Sequence, residues 1–139
     1  VAVDVSGLRV SPSAFGYKIL GAGSSDVTKA QHCRADVFLE GFGWVPVDPA
    51  DVRKVVLEAP PKTLTLADAK VQDARRTLFV AWEGNWIAYD FAHDVVLPNG
   101  PEASFAFLMY PQAMVGGEMR DELDAKSFAY TITAKEISA

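Results

Sequence analysis

An alternating run that ends in a glycine-rich turn limits the possible folds of this chain more than any other feature of its sequence. Successive side chains of a β-strand point to opposite faces, and residues 32–39 alternate in that way. One face carries Cys33, Ala35, Val37 and Leu39, and the other carries His32, Arg34, Asp36 and Phe38. The turn Gly41-Phe42-Gly43 and a short strand from Trp44 to Val47 follow, and Pro49 ends that strand. The pattern predicts a β-hairpin with Cys33 buried on its apolar face.

The remaining patterns predict further strands and up to two helices. Strands are predicted over 1–10 with a break or bulge at Gly7, over 78–82 and 86–91 as a second hairpin, and over 104–110, 114–119 and 128–133. A short helix is predicted over 49–56, and a clearer one from its N-cap at Thr65 to about Arg76. Residues 11–26 and 93–103 are predicted loops. This order predicts one α+β domain over residues 1–139, with a mostly antiparallel sheet and one or two helices.

The composition excludes several classes of protein. Eighteen acidic residues against thirteen basic ones give a net charge of −5, without a block of Lys or Arg, so we expect no nucleic-acid partner. No apolar run approaches the roughly 20 residues that a membrane span needs, so we expect no membrane partner. The single cysteine predicts neither an internal disulfide nor a multi-cysteine zinc site. Two separated histidines predict no metal-ligand cluster, and we expect no cofactor and a cytoplasmic location.

His32 and Asp48 are the candidate catalytic pair. A carboxylate that orients an imidazole forms the base half of a nucleophilic triad, provided that both side chains leave the hairpin on the same face. A turn at residues 41–43 pairs Glu40 with Trp44 and leaves His32 about 13 Å from Asp48. A turn centred on Glu40 sets His32 directly opposite Asp48, and the catalytic interpretation needs this register or a bulge. The other histidine, His93, is followed by Asp94, and adjacent residues rarely orient each other.

The hairpin also carries a resemblance to a known family. The segment from His32 to Phe38, with residues 41–49 after it, resembles the His and Asp motifs of the transglutaminase-like superfamily, especially its bacterial members described as cysteine proteases. The resemblance covers nearly the whole chain. It implies that His32 is the catalytic histidine and Asp48 the catalytic aspartate, with Asp36 in place of the family's usual glutamate.

Two positions depart from the family pattern, and the family's nucleophile is not in this sequence. Arg34 stands where the wider family usually has tryptophan, and Val3 stands where it usually has arginine. The resemblance places the nucleophilic cysteine upstream of Val1, at the start of a helix. It therefore implies a cysteine-proteinase/transglutaminase-like core that lacks its N-terminal helical part. The start on Val1, without Met, also predicts a piece of a longer chain. Cys33 is expected to point away from His32, since neighbouring strand residues face opposite sides.

Two functions of different classes follow. The first is cysteine-dependent acyl transfer or hydrolysis on a peptide or protein amide, in which this chain alone is expected to be inactive. The second is a non-catalytic binding or assembly module that retains the fold. Under the first interpretation, a missing helix would leave an apolar sheet face bare, so we expect a homodimer or another packing that covers it.

Overall fold

The computed structural model describes residues 1–100 and 104–137 of the protein, and it confirms the predicted α+β class. The main sheet has four antiparallel strands in the spatial order β3-β2-β1-β4, namely β1 (Ala2–Arg9), β2 (Gln31–Leu39), β3 (Gly43–Val47) and β4 (Trp86–Asp90). Two helices, α1 (Pro49–Glu58) and α2 (Ala69–Leu78), lie between β3 and β4 in the chain. Neither helix reaches the roughly 20 apolar residues that a bilayer crossing needs, and the described ranges hold no other candidate.

The central strand β1 contains the predicted irregularity at Gly7. Its register against β4 shifts between Ser6 and Gly7. A Cβ at Gly7 would lie 2.1 Å from the Trp86 ring and 2.6 Å from the carbonyl oxygen of Ile87. Only glycine therefore lets β4 approach β1 this closely.

The predicted β2–β3 hairpin is present, but its register is neither of the two considered from the sequence. Phe38 lies opposite Trp44 and Leu39 lies opposite Gly43, so Glu40, Gly41 and Phe42 form the loop. If this register is continued, Arg34 lies opposite position 48, and His32 lies two residues before Arg34 in β2. Even-numbered residues of both strands still share a face, and this parity is what the proposed pairing of His32 with Asp48 requires.

The main apolar core lies between the helices and the long loop after β1, and the polar face of β2 is turned toward that side. The core consists of Leu20, Val55, Val56, Ala59, Val71 and Ala74, against which Phe15, Tyr17, Ile19, Val52 and Leu64 pack. His32 and Arg34 are buried, whereas Cys33 is only half-buried. The prediction of a buried Cys33 on an enclosed apolar face is therefore wrong. The polar side chains of β2 can be buried because their charged partners from α1 and β1 are buried with them.

Both predicted helices form, and the second hairpin does not. The first helix begins at Pro49 as predicted and extends to Glu58. The second begins at Ala69 rather than beside Thr65, because Thr65 and Asp68 hydrogen bond to each other in the turn before it. It continues to Leu78, which leaves 79–85 as a connection instead of a strand. The following strand, β4, then pairs with β1 rather than with a hairpin partner.

The last third of the described chain has less strand than predicted. The predicted strand over 104–110 is limited to β6 (Phe105–Phe107), which pairs with β5 (His93–Val95) inside a predicted loop. Residues 101–103 of that loop lie outside the described residues. The predicted strand around Gly116 and Gly117 is a pair of two-residue strands, β7 (Met114–Val115) and β8 (Glu118–Met119). Residues 128–133 form no strand, and Thr133 makes an isolated bridge to Asp26.

Candidate active site

Three neighbouring elements supply the buried polar cluster around His32. The strand β2 contributes His32 and Arg34, which lie two residues apart and so share one face. Helix α1 contributes Asp48 as its N-cap and Asp51 in its first turn. The end of β1 contributes Arg9, and all five residues are buried. The cluster thus connects the sheet to the N-terminus of α1.

The predicted contact between His32 and Asp48 is present. The Nε2 atom of His32 lies 2.9 Å from Oδ2 of Asp48. A carboxylate oxygen can only accept, so Nε2 carries the proton and donates it. His32 and Asp48 are not directly opposite each other in the hairpin, as the sequence argument required. Asp48 follows the last residue of β3, and its side chain reaches His32 diagonally across the hairpin.

The carboxylate of Asp48 accepts hydrogen bonds from three donors. Its Oδ2 accepts from His32 and also from Nε of Arg34 at 2.9 Å, while its Oδ1 accepts from the backbone N–H of Asp51 at 2.9 Å. Burial by itself would raise the pKa of this carboxyl. The hydrogen bond to His32, the interaction with the Asp51 amide and the Arg34 charge outweigh burial and lower the pKa of Asp48 below its usual value. Asp48 is therefore ionised at neutral pH.

A second carboxylate, which the sequence argument missed, also contacts the imidazole. Oδ1 of Asp51 lies 3.4 Å from Nε2 of His32 and forms an ion pair with Arg9. The ammonium of Lys54, whose side chain is 31 % exposed, lies 3.5 Å from the same oxygen. The signal for Asp51 was present in the sequence, since position 51 lies in the first turn of the predicted helix, one turn from Asp48.

Arg34 also contacts groups other than Asp48. Its Nη1 donates to the carbonyl oxygen of Glu83 at 2.8 Å, and its guanidinium lies 4.7 Å from the centre of the Trp86 ring. The indole N–H of Trp86 donates in turn to the carbonyl oxygen of His32 at 3.1 Å. The same tryptophan therefore supports both the arginine and the backbone of the histidine.

The structure brings together residues that the sequence analysis did not expect to form a metal-ligand cluster. One ligand atom from each of His32, Asp48 and Asp51 falls within 4.8 Å of the others. Two arginines already balance the two carboxylates, and both ligand oxygens that face His32 already accept from arginine. A divalent cation would have to displace these guanidinium groups, so the donor set fits an ion-pair network rather than a metal centre.

The imidazole is nearly enclosed. His32 is 6 % exposed, and its Nδ1 has no hydrogen-bond partner in residues 1–100 and 104–137. The buried polar atoms without partners among the described residues are Nε of Arg9 and Oδ2 of Asp51. Five cavities with volumes of about 360 to 640 Å³ are each lined by residues other than His32 and Asp48.

Cys33 and His93 are not part of this cluster. Alternation along β2 directs Cys33 to the face opposite His32. Burial, with the charge of Asp4 next in importance, raises the pKa of the Cys33 thiol, which keeps it protonated and weakly nucleophilic at neutral pH. His93 is exposed on β5, opposite Phe107.

Comparisons with known proteins give one relative without an assigned function. The chain is 38 % identical over 130 residues to an uncharacterized protein of Haemophilus influenzae. The match covers 93 % of this chain and 34 % of that protein, so the chain spans about a third of the relative's length. No family model matches the chain, and no solved structure matches it.

Proposed function

We propose that His32 and Asp48 form the base half of a cysteine-dependent acyl-transfer site that acts on a peptide or protein amide. The observation that supports this most is the 2.9 Å contact from Nε2 of His32 to ionised Asp48, with Nδ1 left without a partner among the described residues. This arrangement fixes the imidazole in the tautomer whose Nδ1 is free to accept a proton. The resemblance to the transglutaminase-like superfamily supplies the reaction class.

In the proposed reaction, Nδ1 of His32 takes the proton of a thiol, and the thiolate attacks the amide carbonyl carbon. The imidazolium then donates its proton to the leaving nitrogen, the C–N bond breaks, and an amine leaves behind a thioester. Water or an amine gives a proton to Nδ1 as it attacks the thioester, and the thiol is released with that proton. Asp48 stays ionised throughout and stabilises the imidazolium.

The thiol comes from outside these 139 residues under this proposal. The family resemblance places that cysteine upstream of Val1, and Cys33 lies on the wrong face of β2. Since His32 and Arg34 share one face of β2, the cysteine would have to meet Nδ1 of His32 on that face. The amide cleft then forms between that segment and the face of β2.

A cytoplasmic location stays a prediction.

The test uses the longer protein that this proposal requires, with the segment upstream of Val1 included, and measures release of a fluorescent amine from a peptide amide. His32→Ala is expected to lower kcat/KM by about 10²- to 10⁴-fold, the usual contribution of a positioned general base. His93→Ala is the matched control, because His93 is exposed on β5 and is not part of the buried cluster, and it should retain full activity. His32→Gln preserves a side chain of similar size and separates chemistry from folding. Amidase activity that survives both His32 substitutions would refute the proposal.

A non-catalytic binding or assembly module is the second candidate. It is favoured by the near-complete burial of His32 and by the two arginine–aspartate pairs, Arg9–Asp51 and Arg34–Asp48, which tie α1 to the sheet whether or not chemistry occurs. Under this alternative, His32→Gln changes only the free energy of unfolding. A homodimer that covers the sheet face left by the missing helix also stays a prediction.

A further inference from the structure

An apolar groove lies beside the strand–helix junction that carries Asp48. Its cavity volume is about 490 Å³, and its walls come from the β2–β3 hairpin, α1, the segment before α2 and the end of α2. The lining residues are seven apolar or ring side chains and two arginines: Val37, Val47, Pro49, Val52, Leu66, Leu78, Phe79, Arg53 and Arg75. Val47 and Pro49 flank Asp48 in sequence, so the groove adjoins the candidate active site without sharing its residues.

The two arginines of the groove are available for an anionic ligand. Within residues 1–100 and 104–137, neither Arg53 nor Arg75 lies within ion-pair distance of a carboxylate. Both are exposed, and they are the only charged lining residues in a chain whose net charge is −5. The neighbouring Arg76 differs, because it pairs with Asp73. Two unpaired guanidinium groups beside an apolar wall complement a ligand that combines an apolar group with a carboxylate.

We propose that this groove binds a peptide segment in which an apolar side chain neighbours an aspartate or glutamate. The apolar side chain contacts Val52, Leu66 and Phe79, while the carboxylate accepts hydrogen bonds from Arg53 or Arg75. A peptide fits better than a fatty acid because Leu66 and Phe79 are each 58 % exposed, which makes the groove shallow. A long acyl chain needs enclosure along its length, whereas a single side chain of an extended peptide needs only a local apolar contact.

The proposal does not depend on the acyl-transfer chemistry. The groove residues contribute nothing to the His32–Asp48 contact, and His32 does not line the groove. A bound peptide would run past the strand–helix junction, so the groove would serve as a specificity site for an enzyme and as the recognition site of a binding module alike.

The experiment measures fluorescence anisotropy with the intact protein and labelled hexapeptides that have blocked termini. The probe contains a leucine–glutamate pair among glycines and serines, and two matched probes replace the leucine by alanine or the glutamate by glutamine. The leucine–glutamate peptide is expected to bind in a saturable manner and more tightly than both matched probes. Arg53→Gln and Arg75→Gln should each weaken its binding by up to about fivefold, the range of an exposed ion pair.

The matched variants decide the outcome. Arg76→Gln lies on the same helix as Arg75, outside the groove, and should leave the affinity unchanged. Leu66→Glu changes an exposed side chain, so the fold is retained, and it should abolish binding by placing an anion in the groove. His32→Gln should bind normally, which separates this proposal from the acyl-transfer proposal. Equal binding of the glutamine probe, an equal effect of Arg76→Gln, or binding of decanoate without binding of any peptide would each overturn the proposal.

Discussion

Asp48→Asn tests the buried ion pair while preserving the helix cap. Asparagine caps helices about as well as aspartate does, so the hydrogen bond from the Asp51 amide can be retained. The substitution removes the negative charge that faces Arg34. If the asparagine oxygen keeps the cap, its NH₂ group takes the place of Oδ2, which accepts hydrogen bonds from His32 and Arg34, so that donors would face a donor. The variant therefore leaves the buried guanidinium of Arg34 without its counter-ion.

The expected loss follows from burial. Breaking a buried pair by removing one partner costs about 3–5 kcal/mol, because the remaining charge stays desolvated. Asp48 and Arg34 are both fully enclosed as side chains, so the full range applies. Asp73→Asn is the control, since the Asp73–Arg76 pair is 63 % and 73 % exposed and such pairs contribute less than about 1 kcal/mol.

The assay is urea unfolding followed by tryptophan fluorescence. Combining Arg34→Met with Asp48→Asn should recover part of the loss, because neither charge is then left alone in the core. A loss from Asp48→Asn of less than about 1 kcal/mol, equal to that of Asp73→Asn, would refute the reasoning, since it would mean that water or another group reaches Arg34.

The same variant should change the pH dependence of stability. The pKa of Asp48 is lower in the folded state than in the unfolded state, so its contribution is complete above the usual carboxyl value of 3.8 and is lost as the pH falls through the folded-state pKa. The difference in unfolding free energy between wild type and Asp48→Asn should therefore shrink below pH 3.8. Asp36→Asn should show the opposite sign, because burial raises the pKa of Asp36 and the substitution relieves more of the penalty as the pH rises.

Two further predictions concern the sheet. Gly7→Ala should destabilise the protein by about 1–3 kcal/mol in urea unfolding, because its Cβ would overlap the buried Trp86 ring, whereas Gly23→Ala, with no atom within 4 Å of its Cβ, should be nearly neutral. Equal effects of the two would contradict the close approach of β4 to β1. The Cys33 thiol, whose pKa is raised, should react with iodoacetamide more slowly than glutathione at pH 7 and speed up as the pH rises. Rapid labelling at neutral pH that disappears in His32→Gln would instead make Cys33 the nucleophile.

Local patterns predicted the elements that carry the candidate site. Alternation along residues 32–39, the Gly41–Gly43 turn and Pro49 after Asp48 were enough to place β2, β3 and α1. The face shared by His32 and Asp48 followed from parity, which is the same in the observed register as in both registers considered. The observed register differs from each of the two considered by two residues, and a shift by an even number leaves every side chain on the same face.

The rest depended on contacts between distant segments. The sequence pattern predicted that the Cys33 face of β2 is buried, because that prediction used hydrophobicity alone. The buried ion pair between Arg9 and Asp51, which lies on the His32 face, depends on contacts between distant segments that the local pattern does not contain. Residues 78–82 have strand-like side chains, yet Leu78 completes α2 and β4 finds its partner in β1, more than 70 residues earlier. Tertiary pairing of this kind overrides local propensity.

The triple use of Asp48 has an evolutionary consequence. The aspartate caps α1, neutralises Arg34 and orients His32, so selection for folding alone is enough to retain it. His32 has no comparable role in the cap or in the balance of charge. Under the acyl-transfer proposal, we therefore expect position 48 to stay acidic in homologues that lack the activity, whereas position 32 varies. His32 rather than Asp48 would then distinguish a catalytic homologue from a non-catalytic one.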